Sequence, residues 1–111
     1  FFDWPENKPF PREFSLHVAR LVKQILTDHG LAIHLKWPND LLVGNKKIGG
    51  ILTEIKENKV IIGIGLNINT TKEDLAEVDQ AATSFFIETQ RTLSLPPLIK
   101  SIFTIINLNV I

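Results

Sequence analysis

No cysteine occurs among the 111 residues, so a disulfide, a thiolate nucleophile and a zinc–thiolate cluster are all excluded. That usage suits a reducing compartment, and a cytoplasmic location is the expectation. An excess of one charge is also lacking, because 12 Lys and Arg balance 12 Asp and Glu with no run of either. Without a broad positive field the chain has little to draw in a nucleic-acid backbone or an anionic membrane, and neither is expected as a partner. No stretch reaches the roughly 18 unbroken apolar residues of a membrane span, since Gly, Asn and Lys interrupt the richest region. Methionine is missing altogether, and the start Phe1-Phe2-Asp3-Trp4 is neither a signal peptide nor a usual initiation site, so it reads as the interior of a longer chain.

What is present is ordinary globular material, 44% hydrophobic and 22% charged, in a length that allows one domain burying about two-thirds of its unfolded surface. After a loop marked by Pro5, Pro9 and Pro11, residues Phe14, Val18, Leu21, Val22, Ile25 and Leu26 recur at helical spacing and predict a helix over 12–29. Gly30 then supplies a left-handed cap and Leu31 the apolar contact that follows one. From Ile33 the period changes to two. Ile33, Leu35 and Trp37 alternate with His34 and Lys36 in a half-buried strand that ends at Pro38-Asn39-Asp40, which places Trp37 on the core face. A hairpin follows, Leu41–Val43 and 46–56 around a type II′ turn at Gly44-Asn45. A second turn at Glu57-Asn58 leads into 60–68, a continuous apolar strand expected to be covered on both faces. Thr71 with Asp74 forms a capping box that predicts a short helix over 72–78. Residues 83–87 read as a further strand or a packed turn. Past Pro96 and Pro97, the spacing of Leu98, Ile102, Ile105 and Ile106 predicts a closing helix despite its β-branched content. The fold class is α+β: a mixed, mostly antiparallel sheet with helices on one face.

Three segments hold the chemistry: Lys36-Trp37-Pro38-Asn39-Asp40, Lys47-Ile48-Gly49-Gly50-Ile51-Leu52 and Gly63-Ile64-Gly65-Leu66-Asn67-Ile68-Asn69. They set two lysines, a carboxylate and several amides at strand ends beside glycines, where backbone can approach a ligand closely. A phosphate or carboxylate would suit such a place. No Lys-Ser pair of a phosphate loop follows and the third glycine of the dinucleotide fingerprint is missing, so both of those readings fail. His17, His29 and His34 are scattered, and neither a metal cluster nor a Ser-His-Asp triad has support.

In this order, an uninterrupted KWPND, a GGIL strand preceded by lysine and a G-x-G-x-N strand resemble the biotin protein ligases. The resemblance runs over about residues 1–106, with Ala82-Thr83-Ser84 and the last helix also matching. It implies the class II synthetase-like catalytic fold of biotin and lipoate ligases. It also implies a two-step reaction, in which biotin and ATP give biotinyl-AMP and pyrophosphate, and a lysine of a biotin carboxyl carrier domain then takes the biotinyl group. On that resemblance Lys47 is the catalytic cation at the reacting carboxylate and phosphate. Asp40 and Lys36, catalytic residues on the same resemblance, lie beside the adenylate, with Asp40 needed for the chemistry or for orienting a metal and a lysine. Asn39 and Asn67 bind phosphate oxygens or a hydrated Mg2+, with no direct metal ligand assigned. Gly49, Gly50, Gly63 and Gly65 admit the biotin ring and the adenylate, and Trp37 belongs to the same binding motif. The ammonium of Lys47 and the amide of Asn67 are expected to converge on one pocket.

Plainer readings stand beside each of these: a solvated hairpin lysine at 47, a strand-edge charge at 36, turn formation at 39 and 40, strand termination at 67, and close strand packing at the glycines. The family's upstream glycine- and arginine-rich loop and its Ser/Thr strand, which hold biotin and its adenylate, do not occur in these residues. Nor do the winged helix and β-barrel that flank many members. The expectation is a partial catalytic domain that alone binds biotin weakly and turns over poorly, with a homodimer through the sheet as one assembly open to it. Two alternatives remain: a non-catalytic ligase-like module for binding or dimerisation, and a lipoate ligase, ranked lower because KWPND is the biotin-type form.

Overall fold

The structure is a computed structural model that describes residues 2–5, 9, 13–78 and 80–110. Helix α1 runs Phe14–Asp28, so the predicted start at residue 12 lies outside the described residues. Its end follows the sequence closely. Gly30 takes φ +101°, its N–H donates to Thr27 O at 2.9 Å, and Leu31 N–H reaches back to Leu26 O at 3.2 Å. These are the two bonds of a Schellman cap, and Leu31 is buried beside them.

Five strands, β1 (Phe2–Asp3), β2 (His34–Lys36), β3 (Asp40–Val43), β4 (Lys46–Lys56) and β5 (Lys59–Leu66), form one sheet in the order β1-β5-β4-β3-β2 with antiparallel neighbours throughout. The β3–β4 turn has Gly44 at φ +60° with Asn45 at negative φ, the sign pattern of a type II′ turn. At the β4–β5 turn Glu57 and Asn58 both adopt positive φ, +52° and +66°, as a type I′ turn requires.

Pairing fixes the two faces of the sheet. Thr53 opposite Ile62 and Ile51 opposite Ile64 point toward α1 and toward α3 (Leu95–Val110), the predicted closing helix. The core lies there, with Val18, Val22 and Leu26 of α1 packed in one cluster with Leu41, Ile48, Ile51 and Val60. Between β5 and α3 an apolar cavity of about 440 Å³ remains, lined in part by Ile62, Ile64 and Leu66 below and Leu98, Ile102 and Phe103 above. The opposite face carries the pairs Gly50–Gly65 and Leu52–Gly63, and among the described elements no helix covers it. Burial of β5 on both faces is therefore corrected: Ile61, Gly63 and Gly65 are exposed while Val60 is buried. The apolar run arises because Gly and Ile alternate, not because both faces are packed.

Three further expectations change. Strand β2 ends at Lys36, and Trp37 swings out in the following turn with 69% of its surface exposed, so it is not a core residue. The Thr71–Asp74 box forms reciprocally, yet Leu75, Ala76 and Val78 N–H groups bond three residues back, giving successive turns in place of a helix. Residues 85–89 form a short helix, α2 (Phe85–Thr89), with Ser84 Oγ accepting from Ile87 N–H as its N-cap. Phe85 is fully buried. No helix among the described residues is long and apolar enough to cross a membrane.

Candidate functional site

On the open face β3, β4 and β5 bound a cleft of about 430 Å³ lined by Asn39, Asp40, Lys47, Gly50, Ile51, Leu52, Gly63, Ile64 and Gly65. Local rules put these groups together. The Trp37-Pro38-Asn39 turn delivers Asp40 to the start of β3, where it pairs with Gly50 of β4. Counting back by twos from Gly50 along β4 leads to Ile48 and Lys46, which would aim Lys46 at the cleft. The register breaks first: Leu41 pairs with Gly49 but Leu42 with Lys47, so Ile48 is an extra residue. A β-bulge of this kind re-aims the side chains beyond it, and Lys47 faces the cleft in place of Lys46.

There Lys47 Nζ lies 3.3 Å from Asp40 Oδ1, both side chains about one-third exposed. A Cβ built on Gly50 would stand 3.5 Å from Lys47 Cε, 3.6 Å from Asp40 Oδ1 and 3.4 Å from Asn39 O, so any larger residue would fill the corner between the ion pair and the floor. Gly65 has nothing within 4 Å of such a Cβ, and at Gly63 the nearest atoms belong to Leu52 at 3.7 Å or more. At Gly50, Gly63 and Gly65 the floor is bare backbone open to a flat ligand, and the ammonium and carboxylate stand at its end.

The other expected residues are placed differently. Gly49 faces the helices, where a Cβ would come within 2.3 Å of Gly65 O and 2.7 Å of Leu66 Cδ2; close strand packing accounts for it. Lys36 pairs with Asp40 across β2 and β3, on the open face but outside the cleft lining. Trp37 is exposed on the adjoining turn and does not line the cleft. Asn67 does not line it either. Its Nδ2 donates to Thr83 O at 3.1 Å, its N–H to Ile48 O at 2.8 Å, and its O accepts from Phe85 N–H at 3.0 Å. Convergence of Lys47 and the Asn67 amide on one pocket is not what the structure has.

Asn67 instead marks a change of neighbour. Where β5 leaves the sheet, residues 81–83 take its place beside β4: Lys47 N–H donates to Ala81 O and Thr83 N–H to Lys47 O, both at 2.9 Å, in a parallel bridge centred on Ala82. This one parallel link makes the sheet mixed. Leu52 was overlooked at the sequence level, although 59% of its surface is exposed on the cleft floor. Alternation from Gly50 would have found it.

Among the described residues no group of three His, Cys, Asp or Glu could hold a metal. Asp40 and Asn39 still present oxygen donors at the cleft, which suits a Mg2+ that arrives on nucleotide phosphates and keeps most of its waters. Asn67 lies outside the cleft lining, its Nδ2 bonded to Thr83 O.

The family model of the biotin/lipoate A/B protein ligase family matches residues 6–69, more than half of the chain. The bifunctional ligase/repressor BirA of Bacillus spizizenii is 39% identical over 80 residues, which cover 67% of this chain and 25% of that protein. The biotin--[acetyl-CoA-carboxylase] ligase of Mycobacterium tuberculosis is 48% identical over 50 residues, 45% of this chain and 18% of that one. Among solved structures, biotin protein ligase from Aquifex aeolicus in complex with biotin and ATP superposes with a TM-score of 0.77 at 28% identity, covering 87% of this chain and 42% of that one. The chain thus spans about a quarter or less of the curated relatives' length. With the family model matching more than half of its length, this chain belongs to the biotin/lipoate A/B protein ligase family.

Proposed function

We propose that the cleft is the floor of a biotin protein ligase active site, on which biotin and ATP become biotinyl-AMP. The observation that carries this reading is the Lys47–Asp40 pair, 3.3 Å apart, at the end of the Gly50–Gly65 floor. In the first step a biotin carboxylate oxygen attacks the α-phosphorus of ATP and pyrophosphate leaves. Negative charge gathers on the phosphoryl oxygens, and the Lys47 ammonium neutralises it while Asp40 keeps the lysine stem aimed. Lys36, across β2 and β3 from Asp40, adds a second cation at the rim. Mg2+ carried by the nucleotide would supply further charge neutralisation, with Asp40 and Asn39 as its protein-side donors. In the second step the amine of a carrier-domain lysine attacks the acyl carbon and AMP leaves. The exposed Leu52 gives the apolar ring of biotin a surface to lie on beside the glycines.

Biotin is favoured over lipoate because the mycobacterial and Aquifex relatives named above are biotin ligases and the Lys-Trp-Pro-Asn-Asp turn of this chain resembles the biotin-type form. The carrier partner is a biotin-accepting domain of a carboxylase, as the mycobacterial relative's name indicates for that protein. The 111 residues act as one part of a catalytic domain. The cleft is an open floor, so this part alone holds the adenylate weakly. Titration of the chain with biotinyl-AMP and with lipoyl-AMP tests the reading: biotinyl-AMP should bind, and Lys47→Met should abolish binding. Preference for lipoyl-AMP, or equal binding by Lys47→Met, would overturn it.

A further inference from the structure

Two adjacent lysines, Lys46 and Lys47, end on opposite faces of β4, and only the bulge at Ile48 decides which of them enters the cleft. Something must hold that bulge, because a one-residue change of register exchanges the faces of every side chain beyond it. The groups that meet there lie in the segment following β5. Residues 81–83 clasp the Lys47 backbone on its N–H and its C=O. Thr83, at the end of the clasp, is fully buried, and its hydroxyl donates to Glu88 Oε2 on α2. The same Glu88 oxygen lies 3.8 Å from Lys46 Nζ. Asn67 Nδ2 ties the clasp to the end of β5 through Thr83 O.

We infer that the Thr83 hydroxyl is a positioning group: through Glu88 it holds the 81–83 clasp on Lys47 and draws Lys46 to the helix side, and thereby selects Lys47 as the cleft cation. The inference rests on the proposed role of Lys47 but concerns its placement, not its chemistry. The hydroxyl of Thr83 is bonded to Glu88, which does not line the cleft, so its effect on Lys47 runs through the backbone of β4. Glu88 contributes twice, as acceptor for Thr83 and as counter-charge for Lys46. The exposed Lys46–Glu88 pair is weak by itself at 3.8 Å, and the buried hydroxyl supplies most of the constraint.

The test compares Thr83→Val, which keeps the shape and removes the hydroxyl, with Thr83→Ser, which keeps the hydroxyl. In the ligand-free chain, NMR reads the proximity of Lys47 side-chain protons to the Gly50 α-protons and the exchange rate of the Lys47 amide. Thr83→Val should weaken the Lys47–Gly50 contact and speed Lys47 amide exchange about fivefold, the factor for losing one ordinary hydrogen bond. Core amides of α1 should keep their wild-type rates, and Thr83→Ser should behave as wild type. Unchanged contact and exchange in Thr83→Val would overturn the inference. Should Thr83→Val fail to fold, Glu88→Ala at the surface removes the same acceptor and decides the matter by the same two readings. An ATP titration adds the functional arm: Lys47→Ala should weaken binding far more than Lys46→Ala in the wild-type background, and the gap should narrow in Thr83→Val. The NMR readings need no ligand, so failure of the proposed function and failure of the clasp are told apart.

Discussion

Lys47 Nζ and Asp40 Oδ1 lie 3.3 Å apart on the sheet face that no described helix covers, although the two residues sit on different strands on either side of a type II′ turn. The pair is partly hydrated, so its contribution to folding is small, about 0–1 kcal/mol for ion pairs of this exposure. Its value is placement. Lys47→Met should lower biotin-dependent ATP–pyrophosphate exchange by about 10²–10³-fold, the usual loss when one preorganised charge-stabilising group is removed. Thermal unfolding should hardly move. Lys47→Arg should not restore exchange, because a planar fork cannot take the place of a compact ammonium in the corner beside Gly50.

Two glycines of the same motif should respond in opposite ways. At Gly49 a Cβ would lie 2.3 Å from Gly65 O, so Gly49→Ala forces strands apart and should cost about 1–3 kcal/mol in chemical denaturation. At Gly65 the added methyl meets nothing within 4 Å, and Gly65→Ala should leave the denaturation midpoint near wild type while weakening biotinyl-AMP binding by occupying the floor. Loss of stability at Gly65 with none at Gly49 would contradict the assignment of faces.

Asp74 offers a pH handle. Hydrogen bonds from the Thr71 backbone N–H, then from the Thr71 hydroxyl, favour its ionised form and hold its carboxyl below the usual carboxylate range. A depressed native value means that the stabilisation is in force above the ordinary carboxylate range and disappears as pH falls through the native midpoint. Carboxyl NMR titration should place the Asp74 midpoint below the ordinary range of a free carboxylate. Thr71→Ala should move it part of the way back, because the backbone donor remains.

Trp37 should be open to solvent. In Trp4→Phe the remaining indole, 69% exposed in the structure, should show red-shifted emission and ready quenching by acrylamide. Trp37→Phe should alter stability by no more than about 0.5 kcal/mol, as is usual for surface substitutions. Blue, protected emission from Trp37 would mean that the turn packs it inward.

Much of the fold was legible because local rules dominate where it was read. Helix α1, its Gly30–Leu31 cap and the Gly44-Asn45 turn follow from periodicity and from the positive φ that glycine accepts, whereas the positive φ of Glu57 at the second turn is not one that its residue type favours. Trp37 was misplaced because alternation has no means of telling where a strand ends, and Pro38 sets that end one residue earlier. The 72–77 turns were read as a helix because a capping box marks a start and carries no information on whether apolar packing will sustain the next turns. At the site, Lys47, Asp40, Asn39, Gly50, Gly63 and Gly65 gather as the motif suggests. Lys36, Trp37, Gly49 and Asn67 do not line the cleft: alternation from Gly50 already turns Gly49 to the helix side, whereas the departure of β5 at Asn67 is a tertiary event that no two-residue period shows.

Ile64 lines the cleft on one side of β5 and the hydrocarbon cavity on the other. The strand is a partition a single backbone thick between a wet chamber and an oily one. Whatever fills or empties the oily chamber, whether a bulkier side chain on α3 or a small apolar guest, presses on the same peptide planes that carry the glycine floor. A change in the oily chamber would therefore reach the cleft floor through the one strand that the two share.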